Sequence, residues 1–61
     1  MNYTVRQLRM LNEMSLAKMA ELLNVTVVTY SNKENGKTKF YIDEAQKIAD
    51  FFKKEIKEIM W

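Results

Sequence analysis

The side chains that most often carry chemistry are scarce in this chain. It has no cysteine and no histidine. Thiolate chemistry is therefore excluded, and so is the imidazole that usually moves protons near neutral pH. The carboxylates are expected on solvent-facing sides of helices. The adjacent pair Asp43 and Glu44 cannot share one helix face for joint acid–base work. The sole glycine, Gly36, leaves no glycine-rich phosphate loop. No catalytic residue, cofactor site or metal ligand can be named, and the chain is expected not to be an enzyme. What remains is charge. Residues 33–39, "KENGKTK", hold three lysines against one glutamate, whereas residues 40–61 hold four basic and five acidic groups. Positive charge peaks in one short segment, a pattern that either solvates a loop or faces a polyanion.

The elements that position this segment must come from a short chain. With 61 residues and a net charge of +2, the protein is expected to be one domain, spanning 1–61, with a single thin core. Apolar residues recur throughout, which argues against disorder. Nothing approaches a membrane span or a leader's apolar region, so no membrane partner is expected and a cytoplasmic location is the default. The ending "IMW" reads as a buried terminus more than a cut linker.

The stretch "NVTVVTYSNKENG", residues 24–36, is ambiguous. Its β-branched run and its Asn35-Gly36 pair suit a hairpin. A lone hairpin is marginal in water, however, and no third strand is available. Helix caps favour the helix over the strand. Thr4 with Gln7 forms a capping box, flanked by Tyr3 and Leu8 as a hydrophobic staple. Ser15 repeats the pattern with Met14 and Met19, and Thr26 repeats it with Val25 and Tyr30. Asn24 suits the left-handed position that ends the preceding helix. The stretch therefore reads as a helix. Farther on, Ile42, Ala45, Ile48, Ala49 and Phe52 recur at helical spacing, and "EIKEIMW" suggests a last short turn or two. The sum is an all-α chain of five short helices.

Two helices joined by a tight turn, the second starting three residues after Leu23, have the spacing of a helix-turn-helix. The run from Ser15 to Gly36 resembles the phage-repressor, or Cro-like, helix-turn-helix family (the lambda-repressor-like DNA-binding domain). Ala20 stands at the helix crossing, Asn24 replaces the turn glycine, and Met19, Leu23, Val25 and Tyr30 take the buried positions. "KENG" matches the family's ending, "VRQLR" looks like its first helix, "IDEAQKIADFF" its fourth and "EIKEIMW" its fifth. Leu16, Lys33 and Phe40 depart from the pattern, and the stem of Lys33 is expected to cover the core while its ammonium reaches solvent.

The resemblance implies a lambda-repressor-like bundle with its helix-turn-helix at 15–35. The function it implies is sequence-specific DNA binding by a Cro-like phage or prophage transcription regulator, a repressor on a near-palindromic operator. Thr26, Val27, Val28, Ser31 and Asn32 would face the major groove. Helical geometry agrees, since Val28 lies roughly 160° around the helix from Tyr30. Valine can pack on a thymine methyl, and asparagine can bond an adenine. Phosphate contacts would come from Ser15, Asn35, Lys37 and Lys39. The resemblance also suggests a structural ion pair between Arg9 and Glu34. Surplus apolar residues at Phe51, Ile59, Met60 and Trp61 would form a homodimer surface, at least on double-stranded DNA. The alternative is an antirepressor-type module on the same fold, which binds another repressor through Val27, Val28 and the C-terminal apolar residues.

Overall fold

The computed structural model describes residues 2–61. Four α-helices follow a short first strand: β1 (Tyr3–Thr4), α1 (Val5–Leu11), α2 (Leu16–Leu23), α3 (Val27–Glu34) and α4 (Ile42–Phe51). A three-residue 3-10 turn at Ile56–Glu58 then leads into β2 (Ile59–Met60). The expected fifth helix is thus replaced by this turn and strand. Glu58 reaches back to the Glu55 N–H at 3.0 Å, which closes one tight turn. The chain then extends and pairs with β1 in parallel, Tyr3 opposite Ile59 and Thr4 opposite Met60.

Each of the first three helices starts on the hydroxyl read from its sequence. Thr4 accepts from the Gln7 N–H at 3.0 Å while the Gln7 side chain accepts from the Thr4 N–H at 2.9 Å. Ser15 caps α2 through the Lys18 N–H, and Thr26 caps α3 through the Thr29 N–H. These bonds satisfy amide donors that a helix start leaves open. The stretch that suited a hairpin is helical from Val27 to Glu34.

All four α-helices end in the same way. The chain turns left-handed at Glu13, Asn24, Gly36 and Lys53, with φ of 54°, 57°, 83° and 58°. Paired backbone bonds close each end. For α2 these are Asn24 N–H to Glu21 C=O and Val25 N–H to Ala20 C=O; for α3 they are Gly36 to Lys33 and Lys37 to Asn32. This is the Schellman arrangement, which uses carbonyls the helix cannot satisfy itself. Left-handed backbone costs a non-glycine residue about 1–2 kcal/mol. Gly36 meets the requirement without that cost and Asn24 at a reduced one, which leaves Glu13 and Lys53 as the strained ends.

Val5, Leu8, Met19, Ala20, Leu23, Tyr30, Ile48, Ala49, Phe52 and Ile59 make one core. Val25 and Leu16 pack against it half-buried. Leucine at position 16 is therefore a packing residue. The two adjacent phenylalanines divide, Phe52 buried and Phe51 exposed. Ile42 departs from the apolar stripe expected of α4: it sits at the helix's first position and is exposed.

Two charged residues expected in water are buried instead. Lys33 is 7% exposed, and its ammonium does not reach solvent. It donates to Glu44 Oε1 at 2.6 Å and to the Lys39 carbonyl at 3.2 Å, and it lies 4.1 Å from the centre of the Tyr41 ring. Glu44, expected on a solvent face, is buried by the same pairing and also accepts from the Tyr41 N–H at 2.9 Å. The reason is positional. Lys33 follows Tyr30 by three residues and so shares its inner face, while Glu44 lies in the first turn of α4, where a carboxylate serves the amides of the helix start.

Replacing Lys53 by glycine is expected to stabilise the fold by about 0.5–1 kcal/mol, since the left-handed strain is larger than the entropy that glycine adds to the unfolded chain. Urea denaturation followed by circular dichroism measures the difference. A loss of stability would contradict the strained conformation at that helix end.

Candidate nucleic-acid interface

The rotation of α3 about its own axis decides what this molecule shows to a partner. Tyr30 is 0% exposed. Its hydroxyl cannot go unbonded in the core, and it donates to Glu34 Oε2 at 2.6 Å, one turn along the same helix. Glu34 in turn is gripped from α1: Arg9 Nε donates to Oε2 at 2.9 Å and another guanidinium nitrogen to Oε1 at 3.0 Å. This two-point pairing is the strong geometry for arginine and carboxylate. The third guanidinium nitrogen donates to the Met14 carbonyl at 3.1 Å, so the same residue also secures the turn before α2.

The protonation chemistry of the triad follows from this arrangement. Burial pushes the Tyr30 phenol far above its ordinary range, and its bond to the Glu34 carboxylate adds to the shift. For Glu34, burial alone would raise the carboxyl. The hydrogen bonds from Arg9 and Tyr30, with the charges of Arg9 and Arg6, outweigh it and hold the group below its ordinary value of 4.5. The hydrogen bond to Glu34 likewise raises Arg9. All three groups keep one charge state at neutral pH, as a structural joint requires.

With Tyr30 turned in, the opposite side of α3 is open. Val28 is 70% exposed and Val27 44%. Thr26 is exposed, while Ser31 and Asn32 one turn later are half-exposed. Thr26 is already engaged: its Oγ1 accepts from the Thr29 N–H at 3.1 Å and donates to Thr29 Oγ1 at 2.9 Å. The two threonine hydroxyls thus bond each other within the helix, which spends one of their two protons there. Asn32 holds the following loop through its backbone, its carbonyl accepting from the Lys37 N–H at 2.9 Å.

The flanks carry the cations. Asn35, Lys37 and Lys39 are all exposed just beyond α3, and Asn35 Nδ2 donates to Ser31 Oγ at 3.3 Å. The loop that bears the lysines is held by Lys33, whose ammonium bonds the Lys39 carbonyl and Glu44 as described. Ser15 is exposed at the start of α2, with its hydroxyl accepting the capping amide. Two further residues shape this end of α3 beyond those the sequence singled out for the site. Arg6 lines a crevice with Glu34, Asn35 and Gly36, adding a cation near the end of α3. Its signal was its place one turn before Arg9. Lys33 is the other, and its signal was its three-residue spacing from Tyr30.

The residues expected at a dimer surface are not brought together. Ile59 is 4% exposed and belongs to the core, because β2 pairs with β1 and directs it inward. It is removed from that set. Phe51 lines a groove with Met14, Lys18, Glu21 and Leu22. Met60 and Trp61 lie in the crevice that also holds Arg6, Asn35 and Phe40. Trp61 packs edge-on against Phe40 with ring centres 5.4 Å apart, and its Nε1 donates to the Ile56 carbonyl at 3.1 Å.

A family model described as helix-turn-helix, of the lambda repressor and Cro type, matches residues 5–59. The chain belongs to that family. No curated protein and no solved structure matches it significantly. As a helix-turn-helix protein of this type it is a DNA-binding transcription regulator, and α2 and α3 are the helix pair that gives the family its name. Among the described residues, no helix is long and apolar enough to cross a membrane.

The joint at Glu34 makes a pH prediction. A carboxyl held below its ordinary value stabilises the fold fully above that value, and the contribution is lost as pH falls through its folded pKa. Glu34→Gln is therefore expected to be about 1–3 kcal/mol less stable than the native chain at pH 7, with the gap closing as pH is lowered from 4.5. Urea titrations from pH 7 to pH 2 check it, and a constant gap would contradict it.

The buried pair gives another prediction. Lys33→Met or Glu44→Leu alone is expected to cost about 3–5 kcal/mol, because each leaves an unpaired buried charge. The double variant should recover most of that loss, less about 1 kcal/mol for the unbonded Tyr41 amide. A double-mutant cycle on thermal unfolding measures both.

Proposed function

We propose that this regulator is a Cro-like repressor of phage or prophage type, occupying a near-palindromic operator as a dimer with α3 in the major groove. One observation carries the reading: Tyr30 is wholly buried while Val28, on the opposite side of α3, is exposed. A recognition helix needs that division between a face fixed to the core and a face free for bases. Val27, Val28, Ser31 and Asn32 would read bases. Thr26 would contribute contact area more than hydrogen bonds, since its hydroxyl is engaged with Thr29. Ser15, Asn35, Lys37 and Lys39 would hold phosphates and set the register. The chemistry is binding and not catalysis.

Dimerisation has apolar surface available at Phe51 and at Met60 with Trp61. Two-fold pairing would place two α3 helices about one DNA turn apart. The same exposed apolar residues support a second reading, an antirepressor-type module that binds another repressor through Val27 and Val28.

Salt dependence separates the two. Affinity for an operator duplex is expected to fall linearly on a log–log plot of salt, and Lys37→Glu should reduce the slope by about one unit for each phosphate it no longer neutralises. Asn32→Ala should weaken specific binding by roughly tenfold or more per half-site, with circular dichroism unchanged. Gel shifts at several salt concentrations measure these effects. Binding to a repressor protein that is indifferent to salt, with no duplex bound, would favour the antirepressor.

A further inference from the structure

The outward face of α3 carries methyl groups and no charge. Val27 and Val28 form its exposed beginning. Beside them, the Thr26 hydroxyl is bonded to the Thr29 hydroxyl and takes the Thr29 N–H on the same oxygen. Farther along, Ser31 Oγ accepts from Asn35 Nδ2. The helix's one carboxylate, Glu34, is turned inward onto Arg9 and Tyr30, so nothing anionic on this face repels a phosphate backbone. Its one cation, Lys33, is turned inward onto Glu44. Lys37 and Lys39 come only after the helix has ended.

A surface of this kind cannot use the commonest specific contact in the major groove, a bidentate arginine or lysine on guanine O6 and N7. The feature that it can grip is the C5-methyl group, which only thymine presents among the four unmodified bases. We propose that the face made by Val27 and Val28 reads thymine C5-methyl groups by apolar contact, with Asn32 placed for an adjacent adenine. The centre of each half-site is then fixed by T·A pairs and not by guanine. This inference rests on the DNA-binding reading above and names the base chemistry which that reading leaves open.

The test starts with the whole chain and a randomised duplex library. A duplex enriched by the protein is then resynthesised with uracil in place of each thymine in turn, which removes one methyl group and leaves every hydrogen-bonding atom. Fluorescence anisotropy gives the affinities. At one or more positions in each half-site, the substitution is expected to weaken binding by about three- to fourfold, the value of one buried methyl group. At such a position, Val28→Ala should bind the thymine and uracil duplexes alike. Val28 is exposed, so this variant leaves the core intact. Three results would overturn the inference while leaving DNA binding in place. They are an enriched site without T·A pairs at its contacted positions, a site at which every uracil duplex binds within about twofold of its parent, and full discrimination retained by Val28→Ala. Failure to enrich any duplex would overturn the DNA-binding reading and this inference together.

Discussion

The Glu34 carboxylate is the joint on which the molecule turns. A helix that reads "VVTYSNKE" has no single obvious inner face, since valine and tyrosine both suit a core. Tyrosine is the larger residue, but its hydroxyl can enter a core only with an acceptor waiting. Glu34 supplies the acceptor from the next turn, and a carboxylate at that depth needs a cation of its own. Arg9 provides it from α1 with two parallel bonds. Phenol, carboxylate and guanidinium thus require one another, and the rotation of α3 follows from their geometry. The exposure of Val28 is a consequence of that arrangement.

A second anchor acts at the same end of α3 and pulls toward another partner. Lys33 reaches α4 through Glu44 and the intervening loop through the Lys39 carbonyl. The end of α3 is therefore tied to α1 by one side chain and to α4 by its sequence neighbour. Between these ties, Gly36 reverses the chain, and the backbone bonds from Gly36 and Lys37 seal the helix. Lys37 and Lys39 are consequently displayed on a loop whose backbone is held at several points. Cations on a fixed frame lose less conformational freedom on meeting a phosphate than cations on a loose tail.

The sequence disclosed the starts of elements better than their ends. Thr4, Ser15 and Thr26 each cap an amide three residues ahead, a local relation that neighbouring residues reveal. Asn24 is legible as a helix terminator because asparagine tolerates left-handed backbone. Glu13 and Lys53 adopt the same conformation with no intrinsic preference for it, held by the backbone bonds that close their helices, so their residue types do not announce these ends. The last segment departs from its expected helix for a related reason. Ile56, Ile59 and Met60 have helix-like spacing, yet the direction of Ile59 is set by Tyr3 at the other end of the chain. Burial of Lys33 and Glu44 is obscured in the sequence because each charge, taken singly, belongs in water; only their proximity across the fold changes that. At the candidate interface, the family pattern and helical geometry located the outward residues. The mutual bond of Thr26 and Thr29 emerged only with side chains in place.

The pairing of β1 with β2 joins the first and last elements of the fold in a ladder two residues long. So brief a ladder has little strength of its own, and its persistence relies on the inward side chain of Ile59. The two ends are consequently one thermodynamic unit: when either peels away, the other loses its partner. Fraying here is a shared event, in which amide protons from opposite ends of the sequence become open to exchange together.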